Sequence, residues 1–264
     1  MRATRFAAHR GGAALWPENS LAAFAGALAL GIDLLELDVH LTSDDEVVVI
    51  HDATLDRTTD GTGAVGELPA AVLRRLRVRD RHGTLTTERV PLLEDVLGLA
   101  ARAGAGLLVE LKAPVCSDAP RLGSVVSGAL YGGLEKRVLS RLEAAGMQER
   151  TTVMAFNPAV VAMVRTLAPS QSAALLTSRA HVEADSSRAI EAVEWAENVG
   201  ATDLGLEHTL IDADVVAAAR ARGLRVGAWT PNDEPTLRRL AALGVDVITT
   251  DRLDLAVRLH DDGG

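Results

Sequence analysis

The amino-acid sequence predicts an α/β protein built as a single TIM (β/α)8 barrel, and three observations carry that prediction. Short apolar, β-prone runs alternate with Ala- and Leu-rich helical runs along the chain, the rhythm of a parallel sheet with helices packed on it. The length of 264 residues suits one such barrel, which typically takes about 250. A surplus strand is explained by one short connection that only a hairpin can make.

The strand candidates lie near Phe6–His9, Leu34–Val39, Val47–His51, Leu107–Leu111, Thr152–Phe156, Ala173–Leu176, Asp203–Glu207, Arg225–Trp229 and Val245–Thr249. Helical runs span Ser20–Leu30, Leu92–Ala103, Pro158–Leu167, Ser187–Val199, Ala213–Arg222 and Glu234–Leu243. Gly31, Gly104, Gly200, Gly223 and Gly244 each follow a helical run, the position where a glycine commonly stops a helix. The second and third strands are joined only by residues 41–46, whereas a parallel crossover needs about a dozen residues or more. Val47–His51 is therefore expected as a hairpin arm returning over the barrel mouth, which leaves eight parallel staves. Residues 52–89 are rich in Gly, Thr, Arg and Asp, and read as a loop-rich insertion over the mouth, with turns at Thr58–Gly66 and a short helix at Pro69–Leu76. Pro114–Leu122 reads as a loop before a long helical region, and Asp261–Gly264 as a frayed tail. Residues 1–264 are expected to form one catalytic domain.

Composition narrows the function. The net charge is −9, with no basic stripe, which argues against nucleic acid or an anionic membrane as partner. An anionic small molecule can still bind where a metal or a few cations reverse the local field. Aromatic residues are 3% of the chain, so the core must be mostly Ala, Leu and Val. The one cysteine, Cys116, cannot form an intramolecular disulfide and reads as inert. The N-terminus lacks the apolar run of a signal peptide, and no stretch has the ~20 apolar residues of a membrane span. A cytoplasmic protein is the expectation, with its oligomeric state left open.

The candidate chemistry sits at strand ends. Glu36 and Asp38 are two apart on a strand, so both point to one face. Two interior acids repel unless something positive joins them, and a divalent metal with oxygen ligands is one answer; early fraying into solvent is the other. His40 continues the same face, but the hairpin geometry takes the strand out of the barrel before that point, so it is read as structural. His9, followed by Arg10, ends the first strand, and His51 ends the hairpin arm. Two histidines converging at the C-terminal strand ends could serve as acid and base, or be hydrogen-bonded structural residues. Glu110 could complete a three-carboxylate site, with Lys112 and Arg10 on phosphate oxygens; a lone surface ion pair is the alternative for Glu110 and Lys112.

These residues fall within an ordered set of motifs. The set comprises His9-Arg10-Gly11, Pro17-Glu18-Asn19-Ser20, Glu36-Leu37-Asp38-Val39, Thr42-Ser43-Asp44, His51-Asp52, Leu55-Asp56-Arg57-Thr58-Thr59 and Gly61-Thr62-Gly63. It resembles the N-terminal signature of glycerophosphodiester phosphodiesterases. Glu110-Leu111-Lys112, Ala155-Phe156-Asn157-Pro158, Ala228-Trp229-Thr230, Gly244-Val245-Asp246 and Thr250-Asp251-Arg252 resemble the family's later strand ends. The resemblance implies a TIM barrel and a divalent metal, Mg²⁺ or Ca²⁺, held by Glu36, Asp38 and Glu110. It further implies His9 and His51 as the acid–base pair, Arg10 and Lys112 on the phosphate, and Phe156 and Trp229 near the substrate. Ala155, Leu92 and Leu253 depart from the family pattern, which more often has a small hydroxyl residue, Thr and Pro at those places; none touches the implied chemistry.

The implied reaction is metal-dependent hydrolysis of a glycerophosphodiester to glycerol 3-phosphate and an alcohol. The family chemistry suggests attack by the glycerol 2-hydroxyl, a cyclic phosphate, and its opening by water. Two other readings are a non-catalytic barrel that binds a phosphodiester or metal, and a related phosphodiesterase acting on lysophospholipids.

Overall fold

A computed structural model of the protein describes residues 4–112 and 130–261. Pro114–Leu122, with Cys116, and residues 262–264 lie outside the described residues. The first half runs β1 (Arg5–Ala8), α1 (Leu21–Ala29), β2 (Leu34–Leu41), β3 (Val47–Val49), α2 (Ala70–Leu73), β4 (Arg77–Arg79), β5 (Leu85–Arg89), α3 (Leu93–Ala103) and β6 (Gly106–Leu111). There follow α4 (Leu134–Ala144), β7 (Thr151–Ala155), α5 (Pro158–Leu167), β8 (Ser172–Thr177), α6 (Arg179–Ala184), α7 (Ala192–Asn198) and β9 (Asp203–Glu207). The chain ends with α8 (Ala213–Ala221), β10 (Arg225–Trp229), α9 (Glu234–Leu243), β11 (Val247–Thr250) and α10 (Leu253–Asp261).

Parallel pairing runs β2–β6–β7–β8–β9–β10–β11–β1, and the pairing of Ala8 with Leu35 closes the ring. This is the expected eight-stranded barrel. The extra strand, β3, pairs antiparallel with the end of β2, Val39 opposite Val49 and Leu41 opposite Val47. Val39 also pairs with Leu111 of β6. β3 must therefore lie on the other edge of β2, the edge that β1 leaves after Ala8. Beyond Val39, β2 has no partner in the barrel, so His40 sits past the barrel wall, as the short connection required.

Alternation along each stave builds two layers. On β2, Leu35, Leu37 and Val39 face outward into the main core with Leu107, Val109 and Leu111 of β6 and the flanking helices. Leu34, Leu108, Met154, Ala174 and Leu176 face inward as a separate apolar cluster. Leu34 shares its face with Glu36 and Asp38, as period two demands. Side-chain caps start several helices: Ser20 accepts from the Ala23 amide, and Asp212 and Asp233 accept from Val215 and Thr236. Each such cap contributes about 1 kcal/mol.

Two expectations need correction. The stretch 52–89 holds a second small sheet, β4 with β5. Its residues, RVR and LTTER, carry too many charges to show an apolar alternation. It also has its own apolar centre of Val48, Ile50, Leu55, Val65, Leu73 and Val78. The run Ser187–Val199 is not one helix but a 3₁₀ turn at Ala189–Glu191 followed by α7. It is preceded by α6, whose six residues are too short to display a helical period.

One backbone approach fixes where β1 delivers the chain. Gly11 has φ +83°, and a Cβ there would lie 2.6 Å from Ala23 Cβ and 3.0 Å from the Ala23 carbonyl carbon. The loop after β1 thus rests directly on α1. Gly11→Ala should lower stability by at least about 2 kcal/mol, from overpacking together with left-handed strain. Thermal denaturation should show Tm falling by about 4 °C or more; an unchanged Tm would mean that the loop does not bear on α1.

Candidate active site

β1 ends at Ala8, and the next residues turn back over the strand ends. Arg10 takes a left-handed conformation, φ 50° and ψ 31°, which no glycine relieves. That turn aims the Arg10 amide at Glu36, donating to Oε2 at 2.8 Å. Its guanidinium reaches Asp38 Oδ2 at 3.3 Å and Glu18 Oε1 at 3.0 Å. Asn19, also left-handed at φ 55°, is buried and holds Asp38 reciprocally. Its Nδ2 donates to Asp38 Oδ2 at 2.9 Å, and its Oδ1 accepts from the Asp38 amide at 3.2 Å.

Asp38 and Glu110 are register partners on β2 and β6. Like charges placed directly opposite each other destabilise a sheet, and here a cation intervenes. Lys112 Nζ donates to Glu110 Oε1 at 2.7 Å and lies 3.2 Å from Asp38 Oδ1. Glu36, Asp38 and Glu110 each offer an oxygen, all within 4.8 Å of one another.

The surroundings divide the charge unevenly. Burial opposes the ionised Asp38, but Lys112 and Arg10 outweigh it and hold this carboxyl well below the usual range. Burial and then the Asp38 charge push Glu36 up to about 8. Burial works against the Lys112 ammonium, yet Glu110 and Asp38 hold its pKa above normal. Ionising Glu36 as well would set three carboxylate charges against the two cations Lys112 and Arg10. Three hard oxygen donors with that excess fit a divalent cation.

The two histidines are each held by a carboxylate. His9 Nδ1 donates to Asp251 Oδ1 at 2.7 Å. Asp251 accepts in turn from Asn232 Nδ2 at 2.7 Å. His51 Nδ1 donates to Asp52 Oδ1 at 2.7 Å. A carboxylate only accepts, so each ring keeps its proton on Nδ1 and leaves Nε2 for other work. Burial lowers His9, but the Asp251 hydrogen bond and the Glu36 charge carry its pKa above normal. Burial holds the pKa of His51 below normal, with Lys112 and Arg10 adding to the effect.

His9, Arg10, Glu36, His51, Glu110 and Lys112 all line one cavity of about 180 Å³. Phe156 and Trp229 line its other side, their rings edge to face at 5.4 Å. Asp38 lies behind it. His40 is outside: its Nε2 donates to the His51 carbonyl at 3.1 Å, and burial drops its pKa to about 4. His208, which follows β9, is not among the lining residues.

Several residues with a part in this geometry were legible only as motif letters. Arg57 forms two forks, Nη1 and Nη2 to Glu18 at 2.8 Å each, and Nε and Nη2 to Asp52 at 2.6 and 3.0 Å. Glu18 holds Arg10 and Asp52 holds His51, so one guanidinium stands behind two lining groups. Spacing gives no sign of this, because positions 18, 52 and 57 meet only after the insertion has folded. Asn19, Asp251 and Asn232 escaped for the same reason.

A barrel whose strand C-termini gather charged groups of this kind has the layout of a TIM-barrel enzyme. Comparison with known proteins is more specific. The model of the glycerophosphoryl diester phosphodiesterase family matches residues 9–255, and the chain belongs to that family. It is 30% identical over 260 residues to a glycerophosphodiester phosphodiesterase of Caldanaerobacter subterraneus subsp. tengcongensis, covering 97% of this chain and 98% of the relative. The glycerophosphodiester phosphodiesterase structure from Agrobacterium tumefaciens str. C58 superposes with TM-score 0.76 at 26% identity, covering 97% of this chain and 99% of that one. A phosphodiesterase of Oleispira antarctica, solved with the product sn-glycerol-3-phosphate, superposes with TM-score 0.75 at 25% identity, covering 98% and 97% of the two chains. Among the described residues, no helix is long and apolar enough to cross a membrane.

The Arg57 forks make a titration testable. Burial would raise the Asp52 carboxyl, but the Arg57 and His51 hydrogen bonds bring it down to about 2. A depressed carboxyl stabilises the fold above its unfolded pKa, and that contribution is lost as pH falls through the folded value, here from about 4 to about 2. Arg57→Ala should return the Asp52 pKa toward its ordinary value, read by carboxyl NMR titration. If Asp52 still titrates near its wild-type position, the forks do not control it.

Proposed function

We propose that the protein hydrolyses glycerophosphodiesters to glycerol 3-phosphate and an alcohol, using a divalent metal, Mg²⁺ or Ca²⁺, and a histidine acid–base pair. The observation that carries the reading is the meeting of three buried carboxylates, Glu36 and Glu110 on the cavity and Asp38 behind it, with His9 and His51 on the same cavity. Glu36, Asp38 and Glu110 would hold the metal, which when bound polarises the phosphate oxygens and stabilises their negative charge.

The remaining steps belong to side chains. Arg10 and Lys112 donate to phosphate oxygens and offset charge as it grows there. His51, the imidazole with the lowered pKa, takes the proton of the attacking glycerol 2-hydroxyl at Nε2. His9, the imidazole with the raised pKa, gives its Nε2 proton to the departing alcohol oxygen. One P–O bond forms and one breaks, leaving a cyclic phosphate that water opens with the two histidines in reversed roles. An intramolecular hydroxyl gains a high effective concentration, which favours this route. Phe156 and Trp229 pack against the organic part of the substrate. Trp229 Nε1 is buried without a hydrogen-bond partner among the described residues and offers a donor to a substrate oxygen.

EDTA should abolish turnover of a glycerophosphodiester, with Mg²⁺ or Ca²⁺ restoring it; full activity after exhaustive metal removal overturns the metal. By titration calorimetry, Glu110→Gln should weaken metal binding at least about tenfold. His40→Ala should leave it nearly unchanged, and the reverse result would move the ligand set onto β2 alone.

His9→Ala and His51→Ala should each cut kcat by about 10²–10⁴. A nitrophenyl leaving group departs with little protonation, so it should partly rescue His9→Ala and not His51→Ala. Rescue of the other variant exchanges the two roles, and wild-type kcat in either on an alkyl diester removes that histidine from the reaction.

A further inference from the structure

The net charge of −9 hides one local reversal. Residues 74–89, within the insertion, hold six arginines against two acids. Both acids are occupied by backbone amides: Asp80 accepts from His82 and Thr84 at 2.9 Å each, and Glu88 from Ala22 at 3.0 Å. Folding then gathers the cations on one face. Val78 is buried in the insertion's apolar centre, so its neighbours Arg77 and Arg79 point the other way from β4. Arg89 lies in register opposite Arg77, and Leu85 opposite Arg79, so all four share that outer face. Like charges directly opposite each other destabilise a pair of strands, and a carboxylate answers only one of these two: Arg77 Nε donates to Asp60 Oδ2 at 2.9 Å. The other guanidiniums meet carbonyls, which do not cancel their charge. Arg89 donates to the Arg75 carbonyl, Arg79 to those of Thr59 and Gly83, and Arg81 to that of Ala14. The Arg75 side chain stands exposed beside them, and Val72, three residues earlier, is 42% exposed.

We propose that this face is a docking surface for an anionic phospholipid bilayer. Guanidinium groups fork onto phosphate oxygens. A layer of anionic lipids attracts arginines that come within a Debye length of it, about 8–10 Å. Over that range the local charge decides, and the acidic remainder of the molecule is screened. The expectation drawn from the net charge therefore holds for the chain as a whole and not for this hairpin. Val72 and Leu85 set apolar side chains among the cations, the mixture that seats a protein at the head-group boundary. A nucleic acid is less suited to the face, because residues 52–92 contain no Phe, Tyr or Trp on which a base could stack. The chemistry of the substrate agrees. A glycerophosphodiester is what remains of a glycerophospholipid once its acyl esters are cleaved, so the reaction that supplies it is a deacylation at a bilayer. In that one respect the inference rests on the phosphodiesterase reading.

The test is co-sedimentation of the whole protein with vesicles of phosphatidylcholine alone, or of phosphatidylcholine mixed with phosphatidylglycerol. Partitioning onto the anionic vesicles should be at least about tenfold tighter at low salt, and high salt should abolish the difference. Each arginine near an anionic surface strengthens binding about fivefold, so Arg75→Ala combined with Arg89→Ala should weaken it by about tenfold or more. Arg75→Lys combined with Arg89→Lys keeps the charge and should retain most of the binding. Arg75 is exposed, so the single variant Arg75→Glu reports the loss even if the double alanine variant disturbs folding. Turnover of a soluble glycerophosphodiester should be unchanged in Arg75→Glu, because Arg75 does not line the cavity. Equal partitioning onto the two kinds of vesicle, undiminished binding by Arg75→Glu and the double alanine variant, or tighter binding of duplex DNA than of anionic vesicles overturns the docking surface. Failure to turn over the diester while anionic vesicles still bind overturns the phosphodiesterase reading and leaves the docking surface standing.

Discussion

Three carboxylates crowded inside a barrel set the terms for everything around them. Their oxygens lie within 4.8 Å of one another. At an effective dielectric of about 20, two charges about 5 Å apart repel by roughly 3 kcal/mol, so three ionised pairs would cost about 10 kcal/mol. That is comparable with the whole stability of an ordinary domain, about 5–15 kcal/mol. Such a cluster persists only if its neighbours answer the charge. Lys112 bridges Glu110 and Asp38, Arg10 and Asn19 hold Asp38, and the Arg10 amide holds Glu36. The left-handed turns at Arg10 and Asn19 follow from the same need, because extended backbone at those positions would not present these groups to β2.

Charge compensation then continues outward in alternating sign. Arg10 leans on Glu18, Glu18 on Arg57, Arg57 on Asp52, and Asp52 on His51. On the opposite flank, His9 leans on Asp251 and Asp251 on Asn232. The links come from four segments: the loop after β1, the stretch following β3, the turn before α9 and the end of β11. The two histidines therefore sit in unlike fields although both are held by a carboxylate. His9 faces Glu36, while His51 feels Lys112 and Arg10. The two imidazoles therefore differ in proton affinity, His9 raised and His51 lowered.

What could be read from the sequence follows from the range of each interaction. The outer apolar layer repeats every second residue on strands and every third or fourth on helices, so the eight staves and most helices are visible in a short window. The hairpin at β3 is legible because six residues cannot make a parallel crossover. The separation of His40 from the carboxylate cluster follows from that geometry too. Glu36, Asp38 and Glu110 are visible as acids at inward positions, and His9 and His51 as strand-terminal histidines. Arg57, Asn232 and Asp251 have no such local signature. Apart from the Arg57–Asp52 fork, their pairings lie 18 to 242 residues apart, such as Thr250 with Asn232 and His9 with Asp251. β4 and β5 were missed because exposed, charged strands carry no apolar period. α6 is too short to carry one.

The inner and outer faces of the barrel thus answer to different demands. Outward residues of the staves are large and buried, among them Leu35, Leu37, Leu107 and Val109, and they tie the strands to the helices. Inward residues are charged on β2 and β6, and on β8 to β10 the small residues Ala174, Gly205 and Gly227 line the cavity beside Leu176 and Trp229. A TIM-barrel interior is ordinarily filled by layers of branched side chains. Here a Cβ at Gly227 would find its nearest neighbour 3.8 Å away, so the space is present and unused by packing. Glycine within a strand costs about 0.5–1 kcal/mol relative to alanine, a penalty that falls on the half of the barrel without buried carboxylates. Fold stability and site chemistry are thereby carried by opposite faces of the same strands. Substitutions on the inner face can alter the cavity while the outer core, which holds the ring closed, keeps its contacts.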